Sequence, residues 1–465
     1  MKRIFIIFFA ILAIYQVSNA QTPINNPIVH VMVNSTNTGA GTLPFWLDAI
    51  TIDQFRINLY NGVYSGNISV YFAGGDYYYA ALKFWGVPSI VQSIKLYGGF
   101  DPLNYSAYGN LSSRDFVNHE TRFHGKGENV IWFEAVGYNH PNGWNTCIVD
   151  GITITSDGYL VDVQALRLVG GNHIISQCKF ENFNTSNLLI WLETGGNTVT
   201  FTNCLFDNND VAALMALCTH ANLINVTIAD NTISNDMFIP YCSYNQFTQT
   251  YDAFYNYNLY NSIIYGNSNM YMEYDLTALH NGFFNVSNSI LGNNEGWVND
   301  MGYNYFSIDP EFTYNTVHPY TCNTSISPAI GNGNSTFILL CPFYDGNIMN
   351  YDVINAFRYG SNPLIVDIGA YQHSLSPNRQ KKGRNNHSEN SSIQLWASAN
   401  TLYVNDVKAS DAKLSLYNTA GQFVYSTALQ ATNNTIPLTL NSGIYVAIVT
   451  SKEGIEISSE KIVIP

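Results

Sequence analysis

Charge is scarce in this chain. Only 11% of its 465 residues are charged, and 19 lysines and arginines face 33 aspartates and glutamates, for a net charge of −14. Nucleic acid and anionic lipid both need a basic surface, so neither is expected as a partner. Metal and cofactor signatures are missing as well. The seven cysteines include no Cys-x-x-Cys, and the ten histidines show no His-Glu-x-x-His spacing. No Gly-x-Ser-x-Gly nucleophile motif occurs. No cofactor and no metal site is therefore expected. Beyond the first twenty residues no uninterrupted apolar run approaches a membrane-spanning length, and no transmembrane segment is expected. What the chain has in quantity is apolar surface, at 46% hydrophobic residues, and aromatic rings, including 33 tyrosines. Packing and backbone pairing must hold such a fold, and 465 residues allow two or three domains.

Residues 1–20 read as a secretory signal peptide. Lys2 and Arg3 precede an apolar run from Ile4 to Tyr15, and Ser18-Asn19-Ala20 supplies small residues at the cleavage positions. Gln21 rather than cysteine follows, which argues against a lipid anchor. The chain reads as exported.

An internal repeat fills the body, expected to span 21–375. Segments start at Gly151, Gln177, Asn203, Asn225, Asn261 and Asn288, at intervals of 26, 26, 22, 36 and 27 residues. A unit of this length marks a solenoid, whose single coils cannot bury an apolar face alone. Alternation along each strand predicts two inward columns. The first is Ile152, Cys178, Cys204, Val226, Ser262 and Ser289; the second is Ile154, Phe180, Phe206, Ile228, Ile264 and Leu291. Two residues past the second column stand Asn182, Asn208, Asp230, Gly266 and Asn293, types that accept left-handed backbone and form stacked amide turns. The expected fold is all-β: a right-handed parallel β-helix of three short strands per coil with an N-terminal cap, followed by a small C-terminal β-sandwich. On this reading Cys178 and Cys204 are small core residues, and pairing of Cys322 with Cys341 stays open.

Residues 376–391 are polar and cationic, and read as a flexible linker open to processing. From 392 to 465 short alternating strands are split by turn residues: Lys413 to Tyr417, Ala420-Gly421-Gln422, Phe423 to Tyr425, Ile436 to Leu440, Ser442-Gly443-Ile444-Tyr445 and Lys461 to Ile464. This order resembles the type A C-terminal sorting domain of the bacterial type IX secretion system. The resemblance implies a Bacteroidetes-type origin, passage across the outer membrane to the cell surface or medium, and the secretion machinery as a partner. The body resembles surface β-helices of the choice-of-anchor Q group, relatives of polymorphic outer-membrane proteins. The matching motifs are Tyr97-Gly98-Gly99-Phe100, Arg114-Asp115, Val149-Asp150-Gly151, Asp309-Pro310-Glu311-Phe312, Ser327-Pro328-Ala329-Ile330 and Asp367-Ile368-Gly369-Ala370-Tyr371. Gln372 stands where that last motif usually ends in glutamate.

For function, the 36-residue interval predicts an excursion rich in tyrosine, with Tyr241, Tyr244, Tyr251, Tyr255 and Tyr257 as candidate ligand-binding residues. Flat rings with polar tips suit stacking on sugars or gripping a surface protein. Adhesion or carbohydrate binding is the leading expectation, with a glycan or a surface protein as partner. The alternative is a polysaccharide lyase or glycoside hydrolase, which needs facing carboxylates or an acidic calcium cluster with a base. Asp207, Asp210 and Asp230 fall on neighbouring coils, but turn chemistry accounts for aspartate in such segments. Lys179 is the only cation in the six stacked segments, and the sequence places no acidic cluster beside it. His124-Gly125-Lys126-Gly127 reads as part of the solenoid's entry.

Overall fold

A computed structural model describes residues 22–464 apart from 43–45, 79–80, 104–110, 112–113, 126–128, 135–145, 241–243, 246–249, 252–255, 271–283, 293–297, 315–317, 323–326, 335–336, 338–351, 355–365, 373–393, 399–400, 408–411, 419–422, 439, 441–442 and 451–455. The expected signal peptide and linker lie outside the described residues.

The body is a parallel β-helix with three faces. The first face is a nine-stranded sheet. Its strands run Gly75–Tyr78, Thr121–His124, Ile152–Thr155, Lys179–Glu181, Leu205–Asp207, Thr227–Ala229, Ile263–Tyr265, Ile290–Leu291 and Tyr305–Phe306. Every pairing is parallel, and the register puts Ile154 on Phe180, Phe180 on Phe206, Phe206 on Ile228, Ile228 on Ile264 and Ile264 on Leu291. All twelve residues of the two expected columns are buried. Stacking goes beyond burial: the Phe180 and Phe206 rings lie 4.7 Å apart and 3° from parallel. Such pairs add about 0.5–1.5 kcal/mol to the area they bury.

Short corners separate the second face from the first. Residues Gln177, Asn203, Asn225, Asn261 and Asn288 hold φ between 48° and 55° there. Asn182, Asn208 and Asp230, at 50–55°, turn the chain again after the strand, as expected. The short polar side chains relieve the strain of left-handed backbone by bonding locally. At Gly151 (φ 69°) nothing larger fits, since a Cβ would sit 2.5 Å from the Phe116 ring. Amide ladders form one position past the expected turn residues: Asn209 donates to Asn231, and Asn231 to Asn267, each at 2.8 Å.

The second and third faces merge where long strands bend around the intervening corner, as in Asn184–Thr202 and Asp210–Ile224. Three separate short strands per coil therefore hold only for part of the helix. The third face comprises Leu82–Phe84, Ile131–Glu134, Leu166–Val169, the middle of those two long strands, and Phe238–Pro240. An α-helix, Ile52–Tyr60, closes the N-terminal end. Thr51 caps it by accepting from the Gln54 amide, and Phe55 and Leu59 join the solenoid core.

The closing motifs do something else. Leu205, Ile263 and Ile290 point outward from the first face, and Phe312, Tyr320, Ala329, Ile368, Ala370 and Tyr371 pack over them. The Ala370 amide donates to Thr227 Oγ1, and the Gly369 amide to the Asn261 carbonyl. Gln372 Oε1 accepts from the Asp367 backbone N–H, and the Gln372 backbone N–H donates to the Asp352 carboxylate, so the residue ties the last motif to the segment at Asp352.

The tail holds two antiparallel sheets: Gln394–Ser398, Thr401–Val407 and Thr432–Pro437 in one, and Phe423–Ala428, Lys413–Asn418, Gly443–Thr450 and Glu456–Ile464 in the other. Leu402 and Val404 share a core with Leu414, Leu416, Ala447 and Val449 across the two sheets. The strand expected at Ile436 to Leu440 lies earlier and stops at Pro437, which has no N–H to donate.

Candidate functional site

Two outward surfaces carry chemistry. On the first face the outer positions begin charged and become apolar. Arg122 bonds Glu120 at 3.2 Å and Glu181 at 2.8 Å. Lys179 Nζ donates to Glu120 Oε1 at 3.0 Å, which corrects the expectation that it has no acidic partner. Glu120 lies 59 residues upstream, and only the coil stacking brings it close. His124 stands between Asp76 (2.9 Å) and Asp157 (2.7 Å) with Tyr78 stacked on its ring. Lys126 and Gly127 lie outside the described residues.

The three aspartates part company. Asp210 is exposed on another side of the coil, in register with Asn184 and Thr232. Asp230 is a turn residue that accepts from the Tyr314 and Tyr320 hydroxyls. Asp207 is not in a turn: it ends a strand, directly above Glu181, and is 4% exposed. Burial, with Glu181 and Asp230 adding repulsion, pushes its carboxyl up to about 8. Tyr320 and Tyr371 lie close by and seal it from solvent. These groups do not form an open carboxylate pair. Among the described residues no three metal-ligating side chains converge. Cys178 and Cys204 are buried free thiols, Cys178 raised to about 12 and Cys204 well above the ordinary range by desolvation, as inert core residues should be. Cys341 lies outside the described residues.

The third face carries a ladder that sequence reading missed. Outward positions on successive rungs are Lys83, Trp132, Arg167 and Trp191, in direct register. The Arg167 guanidinium lies over Trp132 at 4.8 Å and over Trp191 at 5.6 Å, and Lys83 Nζ over Trp132 at 5.6 Å. All four side chains are half-buried. The Trp191 indole donates to Glu193 at 3.1 Å. The signal was present as outward positions of strands spaced one coil apart, but without the repeat register those four residues look unrelated.

In the sequence the tyrosine-rich excursion follows Phe238–Pro240, which is the last strand of this same face among the described residues. Tyr244 and Tyr251 pair across a two-stranded antiparallel ribbon. Tyr241 and Tyr255 lie outside the described residues. Tyr257 is removed from the candidate surface: it is 3% exposed in the core, donating to the Leu217 carbonyl, because its strand has already rejoined the second face.

Comparison with known proteins adds the tail. Residues 398–465 match the family model described as a secretion system C-terminal sorting domain. The chain ends in a type IX sorting domain. It is thus a secreted protein, delivered across the outer membrane to the cell surface or beyond. No helix among the described residues is long and apolar enough to cross a membrane. No curated protein matches. Among solved structures the body is similar to the pectate lyase Pel9A at 13% identity and a TM-score of 0.26, covering 76% of this chain and 98% of that one.

Proposed function

We propose that the β-helix of this secreted protein binds carbohydrate on its third face and serves adhesion to a glycan-bearing surface. The observation that carries this reading is the Trp132–Arg167–Trp191 ladder. Cation–π stacking holds two indoles and a guanidinium rigid on strands, so a ligand meets flat apolar edges and hydrogen-bond donors at little entropic cost. The tyrosine ribbon follows a strand of that face, Phe238–Pro240, in the chain, and insertions in a solenoid often supply its binding surface. The enzymatic alternative has less to stand on, since the charged groups of the first face are spent on one another and Asp207 is sealed.

The test is retention of the secreted protein on a panel of polysaccharides, with released products measured in parallel. Binding without product, weakened by Trp191→Ala, is the expected result. Product release would favour the enzyme, and a blank panel would remove the proposal.

A further inference from the structure

Resting on that reading, we propose that the third face selects acidic polysaccharides, and that Arg167 is the group that takes the sugar carboxylate. Arg167 carries donors that the protein does not use. Arg167 makes no hydrogen bond or ion pair with the described protein groups, and its Nε is buried without an acceptor. The neighbouring Trp132 Nε1 is buried without one too. Two other described arginines are committed to carboxylates: Arg114 to Asp150, and Arg122 to Glu120 and Glu181. Arg167 Nε is enclosed, so the two Nη groups are the donors left to meet a ligand, and a guanidinium fixed between two indoles holds that pair in one orientation, which suits bidentate capture of a carboxylate.

The surroundings narrow the class further. Glu134 and Glu193 stand two residues beyond the ladder on the rungs either side of Arg167. Among the described strand residues of this face the cations are Lys83 and Arg167, both in the ladder column. Dense sulfation would press negative groups against those glutamates, whereas one carboxylate per sugar ring fits the column. Successive rungs lie about 4.8 Å apart, so Trp132 and Trp191 bracket a length comparable to two sugars of an extended chain. A hexuronate polymer lying along the helix axis meets all of these conditions.

The experiment measures binding of the full secreted protein to alginate and polygalacturonate, to the same polymers after carboxyl reduction, and to poly-L-glutamate. Expected are binding to a polyuronate, its loss on carboxyl reduction, and roughly 10–100-fold weakening in Arg167→Gln and Arg167→Lys with an unchanged thermal transition. Lysine keeps the charge but loses the fork, so full binding by Arg167→Lys overturns the assignment of bidentate capture. Equal binding to carboxyl-reduced polymer overturns the acidic class while leaving sugar binding intact. Arg167-dependent binding to poly-L-glutamate as tight as to polyuronate overturns the glycan class in favour of an acidic peptide. Failure on every polymer removes both this inference and the reading beneath it.

Discussion

Arg114 and Asp150 form a fully buried ion pair at 2.9 Å, joining two segments that the sequence shows as separate motifs 36 residues apart. Arg114 also donates to the Leu111 carbonyl and reaches Gln177 Oε1 at 3.4 Å, while the Phe116 ring stacks on it at 4.8 Å. The Arg-Asp and Val-Asp-Gly motifs are thus two halves of one bolt between the entry segment and the first regular coil. Replacing Arg114 with methionine takes the cation from a fully buried carboxylate, and a loss of about 3–5 kcal/mol is expected. Chemical denaturation of Arg114→Met beside Arg114→Met/Asp150→Asn checks it, the double variant recovering part of the loss. A single variant as stable as the parent would remove the bolt.

Asp207 predicts a pH dependence with a definite sign. Its folded-state carboxyl lies at about 8 against an ordinary 3.8. Between those values the folded chain holds a proton that the unfolded chain has released. Stability from this group is fully present below about pH 4, falls as pH rises to about 8, and is flat above. Asp207→Asn should remove that slope and raise the melting temperature at pH 8 more than at pH 4. Parallel melting curves at both pH values would contradict the assignment.

The Phe180–Phe206 stack tests the solenoid core. Phe180→Ala should cost about 3–5 kcal/mol, and Phe180→Leu much less, because leucine refills most of the volume. Urea denaturation followed by tryptophan fluorescence reads the difference. Equal, small losses would mean that the column is loosely packed.

Asn231 tests the amide ladder. It accepts from Asn209 and donates to Asn267 and to the Phe206 and Ala229 carbonyls. Asn231→Ala strands these buried groups, at about 1–3 kcal/mol. Hydrogen exchange should rise in the coils on both sides of the substitution, not only in its own, if the ladder couples neighbours.

The inward columns were legible from the sequence because burial repeats at one register, coil after coil, and a strand's alternation fixes which residues share a face. Turn residues such as Asn182 and Asn208 were legible for the same reason, since few side chains tolerate positive φ. The sequence also determined the destination of the protein, through a tail whose order of strands and turns is local. Outward contacts were not legible. Lys179 meets Glu120, Arg114 meets Asp150, and Arg167 lies between Trp132 and Trp191 only because stacking sets chain-distant residues about 4.8 Å apart. Which surface stays open was decided by tertiary structure alone, where the closing motifs fold back to cover one face and leave the tryptophan ladder half-exposed on another. Local pattern specifies the coil; the solvent-facing chemistry depends on register between coils and on what returns to cover them.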